Sequence, residues 1–284
     1  MVKVLAIAAL AVVTIAGAGH AAHAIIIGED DREQVTQTAQ APWRAIAWLS
    51  LQDEAGEHVT HCTGSFISSD TVLTAAHCLY NPDIFRPADG PARIRVVPGK
   101  DGADEPFGST MARSWWVPET WIASGGRDFF VDWALIKLEE PIGASTGWFT
   151  IAVLSSKTLL DQAANPVLIG YPADKPEGTM WAASEPAFER VQFDFLWYLV
   201  DAAPGQSGSA VFFGKQTSPY RDMIVAIHSI GRETVFQNAG TRITGDVLGD
   251  LLDGCRAIDC AFDFVIEPDL LPHKVIVPAL ARAE

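Results

Sequence analysis

A serine beside two glycines is the main chemical feature of this sequence. Ser207 stands with Gly205 and Gly208 in the segment DAAPGQSGS, residues 201–209, directly after the strand-like run of residues 191–200. A serine hydroxyl is a weak nucleophile and needs a base within hydrogen-bond reach, held by a third group. The glycines permit a tight turn, in which the N–H groups of Gly205 and Ser207 would converge on a developing oxyanion. An ordinary turn between strands would read the same, so other motifs must decide.

Two further segments supply a base and an acid. LTAAHC, residues 73–78, places His77 at the end of an apolar run. VDWALIKL, residues 131–138, opens a buried-looking strand with Asp132. Asp128 is nearby, but its Gly-Gly-Arg-Asp context is typical of a loop, which favours Asp132 as the acid.

Together these segments resemble those of the chymotrypsin-like serine proteases. The resemblance implies that His77 is the general base, Asp132 orients it and Ser207 is the nucleophile, with Gly205 and Ser207 forming the oxyanion hole. The order His, Asp, Ser along the chain also matches that family, whereas subtilisins and α/β-hydrolases use other orders.

Within the family, the chain is most similar to the bacterial glutamyl endopeptidase branch. The similarity rests on IGEDDR, GQSGS and IHSIG, residues 27–32, 205–209 and 227–231. It implies that His228 lines the specificity pocket and receives a substrate carboxylate, helped by the ammonium group of Ile25 after signal cleavage. It also implies that the edge from Ser229 to Gly231 pairs with an extended substrate.

Three positions depart from related patterns. Ala202 stands where the glutamyl branch has a hydroxyl residue that helps hold the carboxylate. Asp201 stands six residues before Ser207, where trypsin-like enzymes keep the aspartate that selects Arg or Lys. It could face the pocket, turn away, or pair with His228 and raise the pKa of that imidazole. Glu or Asp specificity is the preferred interpretation, and an Arg/Lys or mixed preference is the alternative. Gln206 replaces the aspartate that pairs with the new N-terminus in animal enzymes, so no zymogen switch of that kind is expected.

The first residues predict export. Residues 1–24 combine Lys3, an apolar run and a small-x-small end, as in a cleavable secretory signal, with an uncleaved membrane anchor as the alternative. No other stretch is long enough to cross a bilayer. The net charge of −15 argues against a nucleic-acid partner, which needs clustered Lys and Arg. We therefore expect a secreted or periplasmic monomer that acts on polypeptides, without a cofactor or a metal.

Four cysteines in an exported chain indicate two disulfides. Three pairings are possible, and neighbour order favours Cys62–Cys78 and Cys255–Cys260. The spacing of the first pair also resembles the family bridge that braces the histidine loop.

Short apolar runs separated by turn-forming residues predict an all-β protein. By the resemblance, we expect two antiparallel six-stranded β-barrels followed by a C-terminal helix. The expected boundaries are a signal peptide (1–24), barrels (25–147 and 148–243), a helix (244–254) capped by Thr244, and an irregular tail (255–284). The rival function is a non-catalytic binding protein on a protease scaffold, because a fold does not determine a function.

Overall fold

A computed structural model describes residues 24–85 and 89–271. The predicted signal peptide therefore lies outside the described residues, except for Ala24. The strands are β1 (Glu33–Gln34), β2 (Ile46–Gln52), β3 (His58–Phe66), β4 (Thr71–Thr74), β5 (Arg93–Pro98), β6 (Thr110–Trp116), β7 (Ala134–Leu138), β8 (Ile151–Val153), β9 (Pro166–Gly170), β10 (Trp181–Ser184), β11 (Arg190–Gln192), β12 (Phe195–Tyr198), β13 (Ala210–Phe213), β14 (Met223–Arg232), β15 (Gln237–Arg242) and β16 (Phe264–Ile266). The helices are α1 (Ala76–Leu79), α2 (Glu119–Ala123), α3 (Gly143–Thr146), α4 (Ser156–Leu159) and α5 (Gly245–Ile258).

The first half is a closed antiparallel barrel of six strands, in the order β2-β3-β4-β7-β6-β5. Its strands carry the short runs rich in Val, Ile and Leu that favour a pleated, buried surface. Most of their apolar side chains are fully buried, Leu49, Leu73 and Ile136 among them. This half matches the expected six-stranded barrel.

The second half is a ten-stranded sheet that stays open, unlike the closed six-stranded barrel expected from the resemblance. Its main path runs β1-β10-β9-β13-β14-β15-β12-β11. Strand β8 joins β14 and β16 through parallel pairing. The all-β class with a C-terminal helix is confirmed, and the difference lies in how the second sheet closes.

The N-terminal strap, residues 25–32, belongs to the second half although the first barrel was expected to begin at residue 25. It leads into β1, which pairs with β10. The Asp201 carboxylate accepts N–H groups of Ile27 and Asp31 at 2.7 and 3.2 Å. These long-range acceptors draw the strap across to the second sheet.

The C-terminal helix α5 begins at the predicted cap and ends later than expected. Thr244 accepts a hydrogen bond from the N–H of Val247 at 3.2 Å, as an N-cap does. The helix continues past Gly254 to Ile258. Gly254 does not end the helix but allows it to pack closely, since a Cβ there would lie 2.8 Å from the Trp116 ring. The helix ends at Asp259, whose φ is +57°.

Both predicted disulfides are present, Cys62–Cys78 and Cys255–Cys260. The described part of the expected irregular tail contains a strand, since β16 extends the second sheet beside β8. No helix among the described residues is long and apolar enough to span a bilayer.

Candidate active site

His77 and Asp132 meet because their strands are neighbours in the first barrel. Strands β4 and β7 pair antiparallel, with Thr74 opposite Ala134. The end of β4, which leads into His77, therefore lies beside the start of β7, which follows Asp132. The Asp132 carboxylate accepts the backbone N–H of His77 at 2.9 Å and lies 2.7 Å from His77 Nδ1.

This pair has the charge pattern of a base held by a buried acid. Asp132 is fully buried, whereas the His77 side chain keeps 18% of its exposure. Burial opposes protonation of His77, but the charge of Asp132 and its hydrogen bond outweigh that effect and raise the pKa of His77 above its ordinary 6.5. The bond to Asp132 occupies Nδ1, so Nε2 is the nitrogen left for proton transfer.

Asp128, the alternative acid, has a local structural role. Its carboxylate accepts the N–H of Phe130 at 3.2 Å and caps the short 3₁₀ turn of residues 129–131. That turn delivers the chain to Asp132.

Ser207 lies against the histidine loop. Its carbonyl oxygen accepts the N–H of Thr63 on β3 at 2.9 Å. The same oxygen is 3.8 Å from the sulfur of Cys78, the residue after His77. The segment predicted to carry the nucleophile therefore adjoins the segment predicted to carry the base.

The turn around Ser207 requires its glycines. Gly205 and Gly208 have φ values of +93° and +82°, which side chains other than glycine rarely adopt. A Cβ on Gly208 would lie 2.1 Å from Thr74 Oγ1 and 2.4 Å from the Thr63 carbonyl oxygen. Within the described chain, the N–H groups of Gly205 and Ser207 donate to no protein acceptor, which leaves both for a ligand oxygen.

An open strand edge runs past this turn. Strand β14 pairs with β13 only as far as Ile227, opposite Ala210. Beyond His228, whose N–H and carbonyl bond to the turn at Ser209 and Gly208, it has β15 on one side and no described strand on the other. The register of the β14–β15 ladder shifts between His228 and Ile230. The stretch Ser229–Gly231 is buried, but among the described residues it has no strand partner on that side, and it lies beside the turn predicted to carry the nucleophile.

His228 is a buried, neutral imidazole. It is 1% exposed, and its Nδ1 lies 2.7 Å from the hydroxyl oxygen of Tyr198. Burial, together with the positive charge that His77 can carry, lowers the pKa of His228 to about 3. Burial raises the pKa of Tyr198 well above 10.0, so the phenol keeps its proton.

The Asp201 carboxylate is bound to the strap. It is 2% exposed and accepts the two strap N–H groups of Ile27 and Asp31. Burial, together with the negative charges of Asp31 and Asp30, raises the pKa of Asp201 despite the opposing effect of these two hydrogen bonds. Among the described residues Asp201 makes no hydrogen bond to His228, so of the three expected orientations the structure has the one turned away.

Ile25 lies at the second sheet beside Asn238, a residue that no motif pointed to. The Ile25 N–H donates to Asn238 Oδ1 at 3.0 Å, and Asn238 Nδ2 donates to the Ile25 carbonyl at 2.7 Å. The same Nδ2 also reaches the carbonyl of Val200 at 3.0 Å, and Ala202 N–H donates to the Ile25 carbonyl at 3.2 Å. Asn238 lies near the Tyr198–His228 pair, because it is opposite both Tyr198 and Gly231 in the ladders.

Among the described residues, one group of three has ligand atoms close enough for a metal: those of Cys62, His77 and Cys78 lie within 4.8 Å of one another. The two cysteines are joined in a disulfide. A disulfide has no thiolate to offer a metal ion, so this group supplies a single imidazole.

Comparison with known proteins agrees with this geometry. The family model described as Trypsin matches residues 32–243. The chain is 34% identical to "Glutamyl endopeptidase" of Bacillus licheniformis, over 80% of this chain and 67% of that protein. It is 30% identical to "Extracellular metalloprotease" of Bacillus subtilis, over 80% of this chain and 68% of that protein.

A solved structure described as Glu endopeptidase in complex with MPD superposes with a TM-score of 0.69. It is 26% identical and covers 82% of this chain and 100% of its own. The fold, the His77–Asp132 pair beside a Gly-rich serine turn and the family match over most of the chain lead to one conclusion. The chain belongs to the trypsin family of serine endopeptidases, with the chymotrypsin-like fold.

Proposed function

We propose that this endopeptidase works through an acyl-enzyme on Ser207. Ser207 Oγ attacks the scissile carbonyl carbon while His77 Nε2 takes its proton. The tetrahedral intermediate collapses, the carbon–nitrogen bond breaks, and His77 returns the proton to the leaving amine. Water, activated by His77 in the same way, then hydrolyses the ester and restores the serine.

The surrounding groups supply orientation and charge stabilisation. Asp132 keeps Nδ1 protonated and stabilises the imidazolium that forms during the attack. The N–H groups of Gly205 and Ser207 would bind the oxyanion, a contribution that is typically about 3 to 4 kcal/mol for a single donor. The open edge at Ser229–Gly231 would hold the substrate backbone by strand addition.

The observation that carries this mechanism is the His77–Asp132 pair beside the Ser207 turn. A fluorophosphonate probe, which reacts with activated serines, provides the test. We expect the probe to label Ser207 and to leave the Ser207→Ala variant unlabelled and inactive toward peptides. Undiminished hydrolysis by that variant would falsify the assignment.

For specificity, we propose a preference for Glu or Asp before the cut. His228 supports this proposal: its Nδ1 lies 2.7 Å from the Tyr198 hydroxyl oxygen, and in the tautomer whose Nδ1 accepts the phenol proton the ring carries its hydrogen on Nε2, a donor for a carboxylate. Cleavage after Ala24 would add a second donor, the ammonium of Ile25 held by Asn238. The Asp201 carboxylate is already engaged with the strap, which weakens the case for an Arg or Lys pocket. The names of the glutamyl endopeptidase relatives point the same way.

A set of peptides that differ only in the residue before the cut tests the preference. We expect the highest kcat/KM with Glu, a lower value with Asp and much lower values with Gln, Arg and Lys. A marked preference for Arg would contradict the proposal and return Asp201 to the pocket.

We also propose that the protein is exported and that its substrates are polypeptides outside the cytoplasm. The signal-like residues 1–24, the two disulfides and the extracellular relative support this proposal. N-terminal sequencing of material from the culture medium or periplasm tests it, with Ile25 as the expected first residue. A chain that retained residues 1–24 in a membrane fraction would contradict it.

A further inference from the structure

Arg32 is a buried cation at the end of the strap, next to the serine turn. Its side chain is 0% exposed. The guanidinium donates to both carboxylate oxygens of Asp30, at 2.8 and 2.9 Å, and to both of Asp174, at 3.1 and 2.5 Å. Desolvation disfavours its charge, but these hydrogen bonds and charges outweigh that effect and raise the pKa of Arg32. The pairing satisfies the requirement that a buried charge be compensated.

A fifth contact of Arg32 reaches the residue between the two oxyanion donors. Nη1 donates to Gln206 Oε1 at 3.2 Å, in a fully buried contact. The same Oε1 accepts the N–H of Ala203 at 3.0 Å. Because two donors converge on this atom, it must be the amide oxygen.

Gln206 is therefore held at several atoms. Its own N–H donates to the Ala203 carbonyl at 3.1 Å, and its carbonyl accepts the N–H of Ser209 at 2.9 Å. Gly205 and Ser207 flank it directly, so a rotation of Gln206 would move both oxyanion N–H groups.

The Asp174 side of the cluster is tied to the same turn. Ala173 N–H donates to the carbonyl of Pro204 at 2.7 Å. Lys175 donates to Asp30 at 2.8 Å. The cluster thus joins three segments that are distant in sequence: the strap, the loop after β9 and the serine turn.

We propose that Arg32 is a positioning residue for catalysis: through Gln206 it fixes the turn so that the N–H groups of Gly205 and Ser207 face the oxyanion. This inference rests on the proposed function. In animal enzymes the new N-terminal ammonium pairs with an aspartate at the position of Gln206. Here the cation is the side chain of Arg32, so the turn needs no newly freed amino group. Two carboxylates already compensate the charge of Arg32, and the contact with Gln206 adds the link to the active site.

The main variant is Arg32→Met, which keeps much of the apolar stem and removes the donors. Deletion of one oxyanion donor lowers kcat by about 10²- to 10³-fold. A donor that is displaced and not deleted should cost less. We therefore expect kcat to fall about 10- to 100-fold with little change in KM. Affinity for a peptide aldehyde, whose adduct with Ser207 carries an oxyanion, should fall in parallel with kcat. Arg32→Lys keeps the charge and one of the donors, and should restore part of the activity.

The matched control is Arg95→Met. Arg95 makes a bidentate pair with Glu105 on the first barrel, and its loss removes an arginine–carboxylate pair away from the turn. We expect wild-type kcat and KM from this variant. Near-UV circular dichroism would establish that each variant is folded.

A folded Arg32→Met variant with wild-type kcat would overturn the proposal, as would a loss confined to stability or KM. If that variant does not fold, Gln206→Met decides, because it keeps Arg32 paired with Asp30 and Asp174 and removes the side-chain acceptor shared by Arg32 and the Ala203 N–H. Wild-type kcat in Gln206→Met would then overturn the proposal, and a fall in kcat with unchanged KM would support it. The labelling experiment distinguishes the proposed function from the role of Arg32. Failure of the fluorophosphonate to label the wild-type protein contradicts the proposed function. Equal labelling rates in wild type and Arg32→Met contradict only the role of Arg32.

Discussion

The hydroxyl of Tyr198 holds the imidazole of His228, with 2.7 Å between the phenol oxygen and Nδ1 and with both side chains buried. Tyr198 and His228 lie on β12 and β14, and both strands pair with β15. This contact occupies Nδ1 of His228 and leaves Nε2 as the nitrogen that the specificity proposal assigns to the substrate carboxylate, and it involves a residue outside every recognised motif. The specificity proposal therefore depends on Tyr198 as much as on His228.

Tyr198→Phe should weaken selection for Glu. Without the phenol proton, Nδ1 loses its donor, and the ring no longer favours the tautomer with hydrogen on Nε2. A typical hydrogen bond contributes about 1 kcal/mol, so we expect the Glu-to-Gln ratio of kcat/KM to fall about 5-fold. Tyr220→Phe, which removes a hydroxyl from the turn before β14, should leave the ratio unchanged. An unaltered ratio in Tyr198→Phe would remove Tyr198 from the specificity site.

The activity should be lost in acid as His77 takes up a proton. Asp132 raises the pKa of His77 above 6.5, and only the neutral imidazole can act as a base. The acidic limb of kcat/KM therefore lies above pH 6.5, with activity present at higher pH and falling as the pH drops through the pKa.

Asp132→Asn should shift that limb toward lower pH and reduce kcat by about 10⁴-fold, as in the well-studied serine protease triads. A pH profile of both proteins with one peptide measures the shift and the loss together. A limb that did not move would show that another group controls it.

Asp201→Ala should destabilise the strap without creating or removing an Arg preference. The substitution leaves the N–H groups of Ile27 and Asp31 without their acceptor, at a cost of about 1 to 3 kcal/mol. Asp201→Asn retains one acceptor oxygen and should lose less. Chemical denaturation measures the stability, and the peptide set measures the specificity. A large gain in cleavage after Glu would mean that Asp201 acts in the pocket after all.

The two disulfides should differ in their effect on catalysis. In the chain-entropy model, removal of Cys62–Cys78, which spans 16 positions, costs about 3 kcal/mol. Removal of Cys255–Cys260, which spans 5, costs about 2 kcal/mol. Only the first bridge adjoins His77, so the Cys62→Ala/Cys78→Ala pair should also lower kcat. Thermal unfolding and kinetics on both double variants provide the comparison, and equal kcat values would contradict a bracing role.

The sequence alone indicated the family and the all-β class, and it favoured the disulfide pairing that the structure has. These features are local: the TAAHC, VDWALIKL and GQSGS segments each carry their own residue types and spacing, and neighbouring cysteines close short loops. Thr244 could be recognised as a helix cap for the same reason. Gly254 was misleading, because a glycine that ends a helix and one that packs under Trp116 look alike in sequence.

Only the tertiary structure decided which partners Asp201, Asn238 and Arg32 contact. The sequence allowed Asp201 to face the expected pocket or to turn away from it. The N–H groups that its carboxylate accepts, those of Asp31 and Ile27, lie 170 and 174 positions away in the chain. Asn238 meets Ile25 across 213 positions, and Arg32 meets Gln206 across 174. A buried polar group must find a partner, but the identity of that partner depends on how the sheets bring distant segments together, which no local pattern encodes.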